Sequence, residues 1–369
     1  MKGNKMERRT MNAQIGGLDG PSLLKLMDAE GDPGILRPFQ HDGKCYVELY
    51  NKNKGERETH RVPHNTATLP HEVWLEIDQT VTRAMRKRLK AVADVEEAGL
   101  VRNIPNGFAV QALMTQRASR VGTANLGMDP MQTGPKDRHV NDTVLIPLPC
   151  IWADWGFGAR ELAVSRRGGL PLDLASAEDQ AFACAELAEK MLIGNSEYDQ
   201  YQYIANAKIW GYTDFTSRVT GTITIPTANA WVGSTLLGEL LTAIQALIAV
   251  NKYGPYMMYL APAWSRYLEN DYLSTTAGQT TTITTRERIL KHSEIQDIRS
   301  LDYLTGWDIL LVQMETETVR EIIGMDWTTV QWEEQGGNLL NWRILGIRVP
   351  QIRSDYDGNC GVCHLTVAT

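Results

Sequence analysis

Residues 103 to about 150 constrain this chain more than any other stretch. They include "FAVQALMTQRASRVGTANLGMDPMQTGPKDRHVNDTVLIPLPCI". Each end reads as a strand, and the middle is rich in Gly, Pro, Asn, Asp and Met. A loop of this length is uncommon in a compact domain unless it works or is flexible. A two-stranded arm has no independent stability in water. The segment therefore needs a surface to lie on, and any fold proposed for the chain has to say where that surface is.

The segments around it are more conventional. Residues 1 to about 68 are polar, with scattered Gly and Pro, and hold one strand-like piece, "GKCYVELYN", in which Cys45, Val47 and Leu49 alternate with Tyr46, Glu48 and Tyr50. This stretch has too few apolar residues for a core of its own and reads as an extended arm. "TATLPHEVWLEIDQTVTRAMRKRLKAVADV" predicts one long helix, with Thr68 as N-cap and Pro70, Glu72 and Glu76 in its N-terminal part. Val73, Trp74, Ile77, Val81, Met85, Leu89 and Val92 form its apolar stripe. Arg83, Arg86, Lys87, Arg88 and Lys90 crowd its second half and read as a solvated face.

"LPLDLASAEDQAFACAELAEKMLIGN" predicts a second helix. Asp173 or Ser176 caps it, Gly194 stops it, and Ala177, Ala181, Cys184, Ala185, Ala188, Met191 and Leu192 line one face. "TLLGELLTAIQALIAVNKYG" gives a third, on Leu237, Leu240, Leu241, Ile244, Leu247 and Ile248. Then come a Gly254-Pro255 turn, the strand "YMMYLA", a short helix from Pro262, and an exposed Thr-rich loop, "STTAGQTTTITT". "ERILKHSEIQDIRS", the strand "DILLVQM", "WTTVQWEE" and "NWRILGIRVPQIR" follow, the last being the longest predicted strand. The order is arm, helix, long β-arm, helix, an α/β region and returning strands. That is α+β rather than alternating βαβ.

Composition excludes some classes. A formal charge of −7 gives no global basic field for nucleic acid or acidic membrane. The start, "MKGNKMERRTMNAQIGG", lacks the apolar run of a secretory signal, and no apolar stretch reaches the ~20 residues of a membrane helix. Five cysteines, at 45, 150, 184, 360 and 363, suit a reducing compartment without a disulfide framework. The ten tryptophans read as core or interface residues.

The most suggestive chemistry is Cys360-Gly-Val-Cys363-His364, a C-x-x-C-H of the kind that attaches haem. A haem needs an apolar pocket, which would have to come from distant sequence. Zinc needs a fourth ligand, and no second C-x-x-C supplies it. A redox dithiol needs a thioredoxin-like strand-to-helix turn. The favoured reading is two small, partly buried thiols on a final strand, "GVCHLTV". A cytosolic metal or redox protein using Cys360, Cys363 and His364 is the rival of a different class. His60 and His64 have ligand-like spacing, but Pro63 prevents a helical pair. His71-Glu72 begins no H-E-x-x-H, and Gly156-Phe-Gly158 lacks a third glycine and a βαβ setting. No residue is assigned a catalytic, cofactor-binding or metal-ligating role, and no enzymatic activity is expected.

Four stretches carry a family likeness: "LPHEVWLEIDQTVTRAMRKRLKAVADV", "IPLPCIWADWGFGARELAVSRRGGLPLDLASAEDQAFACAELAEKMLIGN", "KYGPYMMYLAPAWSRYLEN", and "LDYLTGWDILLVQ" through "NWRILGIRV". In their order and scattered residues the chain resembles the encapsulin branch of the tailed-phage major capsid proteins, which have the HK-97-like capsid fold. The resemblance covers roughly residues 69 to 367. It implies an N-terminal arm (1–68), the N-terminal helix of a peripheral domain (69–102), an extended β-hairpin arm or E-loop (103–150), a peripheral domain with a long spine helix (151–199), an axial domain (200–306) and strands returning to both domains (307–369). It implies further that copies assemble through hexamers and pentamers into an icosahedral shell. That shell would hold double-stranded DNA by non-specific contact and work with portal, scaffolding or cement proteins. It would be a virion capsid, assembled in the bacterial host cytoplasm with no membrane partner. No cofactor is implied. Lys136, in the arm, carries an amine that could crosslink subunits but reads as a solvated lysine. Encapsulins begin almost at the tryptophan helix. The extra 68 residues here point to a phage-type arm rather than to the alternative, a nanocompartment shell holding cargo enzyme.

Overall fold

The structure, a computed structural model, describes residues 39–41, 44–51, 56–62, 71–120, 138–168, 174–194, 208–226, 232–273, 280–334 and 338–367. Three short strands come first, β1 (Phe39–His41), β2 (Lys44–Asn51) and β3 (Glu56–Val62), followed by helices α1 (His71–Arg88) and α2 (Ala91–Glu97). Then come β4 (Val101–Asn103), β5 (Ala112–Ala118), β6 (Asn141–Pro147) and β7 (Cys150–Gly158), and helices α3 (Ala159–Gly168) and α4 (Ala175–Ile193). The second half holds β8 (Val219–Ile223), α5 (Gly233–Ala249), β9 (Tyr256–Leu260), α6 (Ser265–Leu268), β10 (Asp271–Leu273), β11 (Thr280–Thr284) and α7 (Thr285–Leu290). It closes with β12 (Ile295–Ser300), β13 (Ile309–Gln313), β14 (Val319–Glu334), β15 (Leu339–Ile352) and β16 (Val362–Val367).

Two mixed sheets organise these elements. One has the order β12-β9-β13-β16-β8, with parallel pairs at both edges and antiparallel pairs inside. The other has the order β4-β14-β15-β7, with β4 parallel to β14 and the rest antiparallel. Each sheet is half of a separate apolar core. Leu236, Leu240, Ile244 and Leu247 of α5 pack on the five-stranded sheet together with Tyr259, Trp264 and Leu310. Trp74, Ile77 and Met85 of α1 and the small-residue face of α4 pack on the four-stranded sheet with Trp155, Phe157 and Trp342. A fully buried Leu or Ile contributes about 1.5–3 kcal/mol, so a chain of this length can support two such cores. The alanines of α4 (Ala177, Ala181, Ala185, Ala188) let α1 approach closely and are all buried, as the spacing predicts.

The structure corrects several expectations. The first long helix is two helices, α1 and α2, interrupted at Leu89 and Lys90. Around the break, the N–H groups of Lys90, Ala91 and Val92 bond to the carboxylate of Glu189. Ser176 does not cap the start of α4. Ser176 lies inside the helix and the Ncap, Leu174, makes no side-chain bond, while Asp173 lies outside the described residues. Gly194 does end that helix, at φ 101°, a backbone geometry that disfavours other residues. Part of the Thr-rich loop is strand β11, which pairs with β10, as a run of β-branched threonines allows. The longest strand is β14, of 16 residues, against 14 for β15. Its register against β15 shifts between Ile323 and Thr328, a bulge within the strand. There Gly324 meets Gly107 so closely that a Cβ on Gly107 would lie 2.5 Å from the Gly324 Cα. In the N-terminal arm, β1, β2 and β3 form an antiparallel sheet rather than a lone strand, and Phe39 is buried in the core beneath α1. Thr68, Pro70, His64, Lys136 and Trp231 lie outside the described residues.

Candidate functional site

The β5–β6 hairpin is the arm that the sequence demands. Its strands pair in register from Ala112 with Pro147 to Ala118 with Asn141. The base is well anchored. Ile146 and Leu148 enter the core of the four-stranded sheet, and the Leu148 N–H donates to the Gln111 carbonyl at 2.9 Å. Gln351 Nε2 donates to Thr115 Oγ1 at 3.2 Å, and Arg117 Nη1 to Ser354 Oγ at 2.7 Å. Arg117 also pairs with Asp142 across the hairpin. This support reaches Arg117, one pair from the end of the described ladder, but it does not cover every side chain. Met114 is 62% exposed and Val140 is 57% exposed, while Asn141, Asp142 and Thr143 are also exposed. Among the described elements, β5 and β6 pack chiefly on each other. The tip, residues 121–137, lies outside the described residues.

A second apolar feature lies at the sheet edge. Trp152, on edge strand β7, is 58% exposed on the outer face, where it pairs in register with Leu345. The same face carries the Arg343–Asp154 pair (2.5 and 2.6 Å), with the guanidinium stacked over Trp332. Strand alternation marks Trp152 as outward-facing once β7 is recognised, so periodicity could have singled it out from the other tryptophans. Trp74, Trp155, Trp264 and Trp342 are core residues, as the sequence suggests.

Behind these surfaces the two cores meet at a seam of buried polar groups. The seam crosses α4 between Met191 and Leu192, β14 between Val319 and Ile322, and β15 between Val349 and Ile352. Helix α2 sits on it. Asp94 of α2 accepts from the Tyr259 hydroxyl at 2.9 Å and pairs with Arg299, both in the five-stranded sheet. Glu96 of α2 accepts from Arg348 of the four-stranded sheet at 2.9 Å. Glu189 of α4 caps α2 from outside by accepting the three N–H groups at the helix break, at 2.7–3.2 Å. Burial pushes the Glu189 carboxyl up to about 7, against the lowering effect of those N–H donors. Sequence reasoning missed Glu189 and Glu321, because an acidic residue on a helix or strand carries no sign of burial until its neighbours are known.

The C-x-x-C-H residues do not converge. Cys360 and Cys363 are fully buried rather than partly so, and burial pushes both thiols up to about 12, out of the reactive range. Cys363 and His364 are adjacent on interior strand β16 and so face opposite sides of the sheet. His364 Nε2 lies 3.3 Å from Asp308. Among the described residues no group of three or more His, Cys, Asp or Glu is placed to hold a metal ion. Among them, too, no helix is long and apolar enough to cross a membrane. Gly156 and Gly158 lie on β7 beside β15, outside any βαβ turn. Arg83, Arg86 and Lys87 are exposed on α1, as a solvated face should be.

Solved structures share this architecture. The chain is similar to the virus-like particle protein from Pyrococcus furiosus, with a TM-score of 0.56 at 11% identity, over 80% of this chain and 99% of that one. It is similar to the capsid of Myoviridae phage XM1 (TM-score 0.52, 12% identity, 74% of this chain and 90% of that one). It is also similar to the capsid of an empty GTA particle (TM-score 0.52, 10% identity, 76% and 91%). The fold is thus the HK-97-like capsid fold, in its α+β form. No curated protein matches the sequence. One family profile does match, over residues 64–365, and the chain belongs to that family, DUF6260, described as a family of unknown function.

Proposed function

We propose that this chain is the major capsid protein of a tailed bacteriophage, a structural protein rather than an enzyme. Copies assemble through hexamers and pentamers into an icosahedral shell around double-stranded DNA. The observation that supports the reading is the β5–β6 hairpin, which its own molecule holds as far as Arg117 but which leaves the large apolar side chains of Met114 and Val140 exposed. A neighbouring copy supplies the missing surface, and the same contact repeated around closed rotations builds the shell. Exposed Trp152 on the edge strand adds apolar area to such contacts. The fold shared with phage capsids supports the reading from the side of architecture.

On this reading residues 1–68 strap neighbouring subunits, 103–150 form the E-loop, 151–199 carry the spine helix α4, and 200–306 form the axial domain with strands from 307–369. The packaged DNA is held without sequence-specific contact, and portal, scaffolding or cement proteins complete the particle. The shell assembles in the bacterial cytoplasm and ends in the virion. Electron microscopy of the purified full chain tests this. Closed shells of uniform diameter are expected, and a persistent monomer under all conditions overturns the proposal. Nucleic acid inside particles from infected cells separates a phage capsid from a compartment shell, which would hold protein cargo instead.

A further inference from the structure

Glu321 is a buried carboxyl on the seam with an unsatisfied oxygen. It lies on β14 between Val319, in one core, and Ile322, in the other, opposite Pro350 of β15. Its backbone N–H donates to the Leu100 carbonyl at 2.8 Å, but its Oε2 is buried without a hydrogen-bond partner among the described residues. The nearest cation, Arg348, is 3% exposed and already donates to Glu96 at 2.9 Å and to Asp326 at 3.3 Å while stacking on Trp327. The other groups that act on Glu321 are acidic or neutral. Glu96 comes from α2 and Glu189 from α4, and the buried Tyr212, whose hydroxyl also lacks a partner, from the segment after α4. Asp94, next to them on α2, is already taken by Tyr259 and Arg299. A carboxylate charge on Glu321 would be buried, without a hydrogen bond at Oε2 and beside other acids, with only Arg348 to oppose it, an arrangement that costs several kcal/mol.

We infer that the seam between the two cores is a proton-operated latch: Glu321 is uncharged while the seam is closed, ionises when the seam opens, and so couples opening of the seam to pH. The latch is a property of the single chain and stands or falls apart from shell formation. Burial places the Glu321 carboxyl at about 8, with Glu96 and Glu189 raising it and Arg348 opposing them. An opened, hydrated glutamate titrates near 4.3. Between those values each opening releases a proton, so the closed seam is favoured most at low pH. That preference is lost as pH rises through the closed-state value and changes no further above it.

Hydrogen exchange on the full chain tests the latch. Opening at the amides of residues 91–97, 189–193 and 319–323 should increase at least tenfold per pH unit between about pH 5 and 8, more steeply below about pH 7 where Glu189 also gives up a proton, after correction for base catalysis, and then level off. The amides of β9 and β13, inside one core, should follow base catalysis alone. Glu321→Gln should remove one proton's worth of slope at the seam, so that opening there is about tenfold less steep per pH unit than in the parent. An unchanged slope in E321Q, or no excess slope in the parent, overturns the proposal. The parent alone gives a second readout. The infrared band of a protonated carboxyl should be present at about pH 6 and vanish by about pH 9. Its absence at pH 6 overturns the latch even if E321Q does not fold.

Discussion

Met258 and Met114 are both strand methionines, yet Met258 is fully buried in the five-stranded sheet and Met114 is 62% exposed on the hairpin. The difference is in what flanks each strand. β9 has β12 on one side and β13 on the other, and α5 covers its core, so all five of its residues are buried. β5 has only β6, and its burial alternates at best. The sheet draws its stability from inside the molecule. The hairpin sets Leu113, Val144 and Ile146 against its own core but leaves Met114 and Val140 without such cover.

That contrast can be broken or sharpened. Trp264, fully buried with its Nε1 donating to the Trp307 carbonyl at 2.8 Å, is a pillar of the sheet half. Trp264→Ala should cost about 3–5 kcal/mol in denaturant unfolding of the unassembled chain, and a loss below 1 kcal/mol would mean that the sheet's core is not where stability resides. At the seam, Glu189→Ala leaves the N–H groups around the helix break without their acceptor. A loss of about 1–3 kcal/mol is expected, with hydrogen exchange accelerating in α2 ahead of α5. The smallest effect on the single chain belongs to the hairpin. Met114→Ser with Val140→Ser should shift unfolding by no more than about 0.5 kcal/mol while sharply lowering the yield of shells. If the double variant instead unfolds as easily as Trp264→Ala, the hairpin packs at home and the comparison fails.

The elements that the sequence made legible are those whose partners are generic. The stripes of α1, α4 and α5 needed only some apolar surface opposite, and Trp74, Ala181 and Leu240 are buried as their spacing requires. The β5–β6 hairpin could be recognised because each of its strands shows in the local sequence. What stayed hidden depends on particular distant residues. The break between α1 and α2 is tied to Glu189, about a hundred positions away, and nothing in "MRKRLKAVADV" announces it. The bulge that carries β14 through Gly324 rests on close contact with Gly107. Glu321 looks like any surface acid until the β4 strand and Arg348 enclose it. The C-x-x-C-H misleads for the opposite reason: its spacing matches a ligand motif, but strand alternation sends Cys363 and His364 to opposite faces.

The strand pairings also decide when the polypeptide can mature on the ribosome. β16 is inserted between β13 and β8, and β4 finds β14 only after most of the chain has been made. Neither mixed sheet can close while its missing strand is still in the exit tunnel, so α1, α4 and α5 wait with their oily faces uncovered. Nascent chains of this kind depend on holding factors and aggregate when truncated.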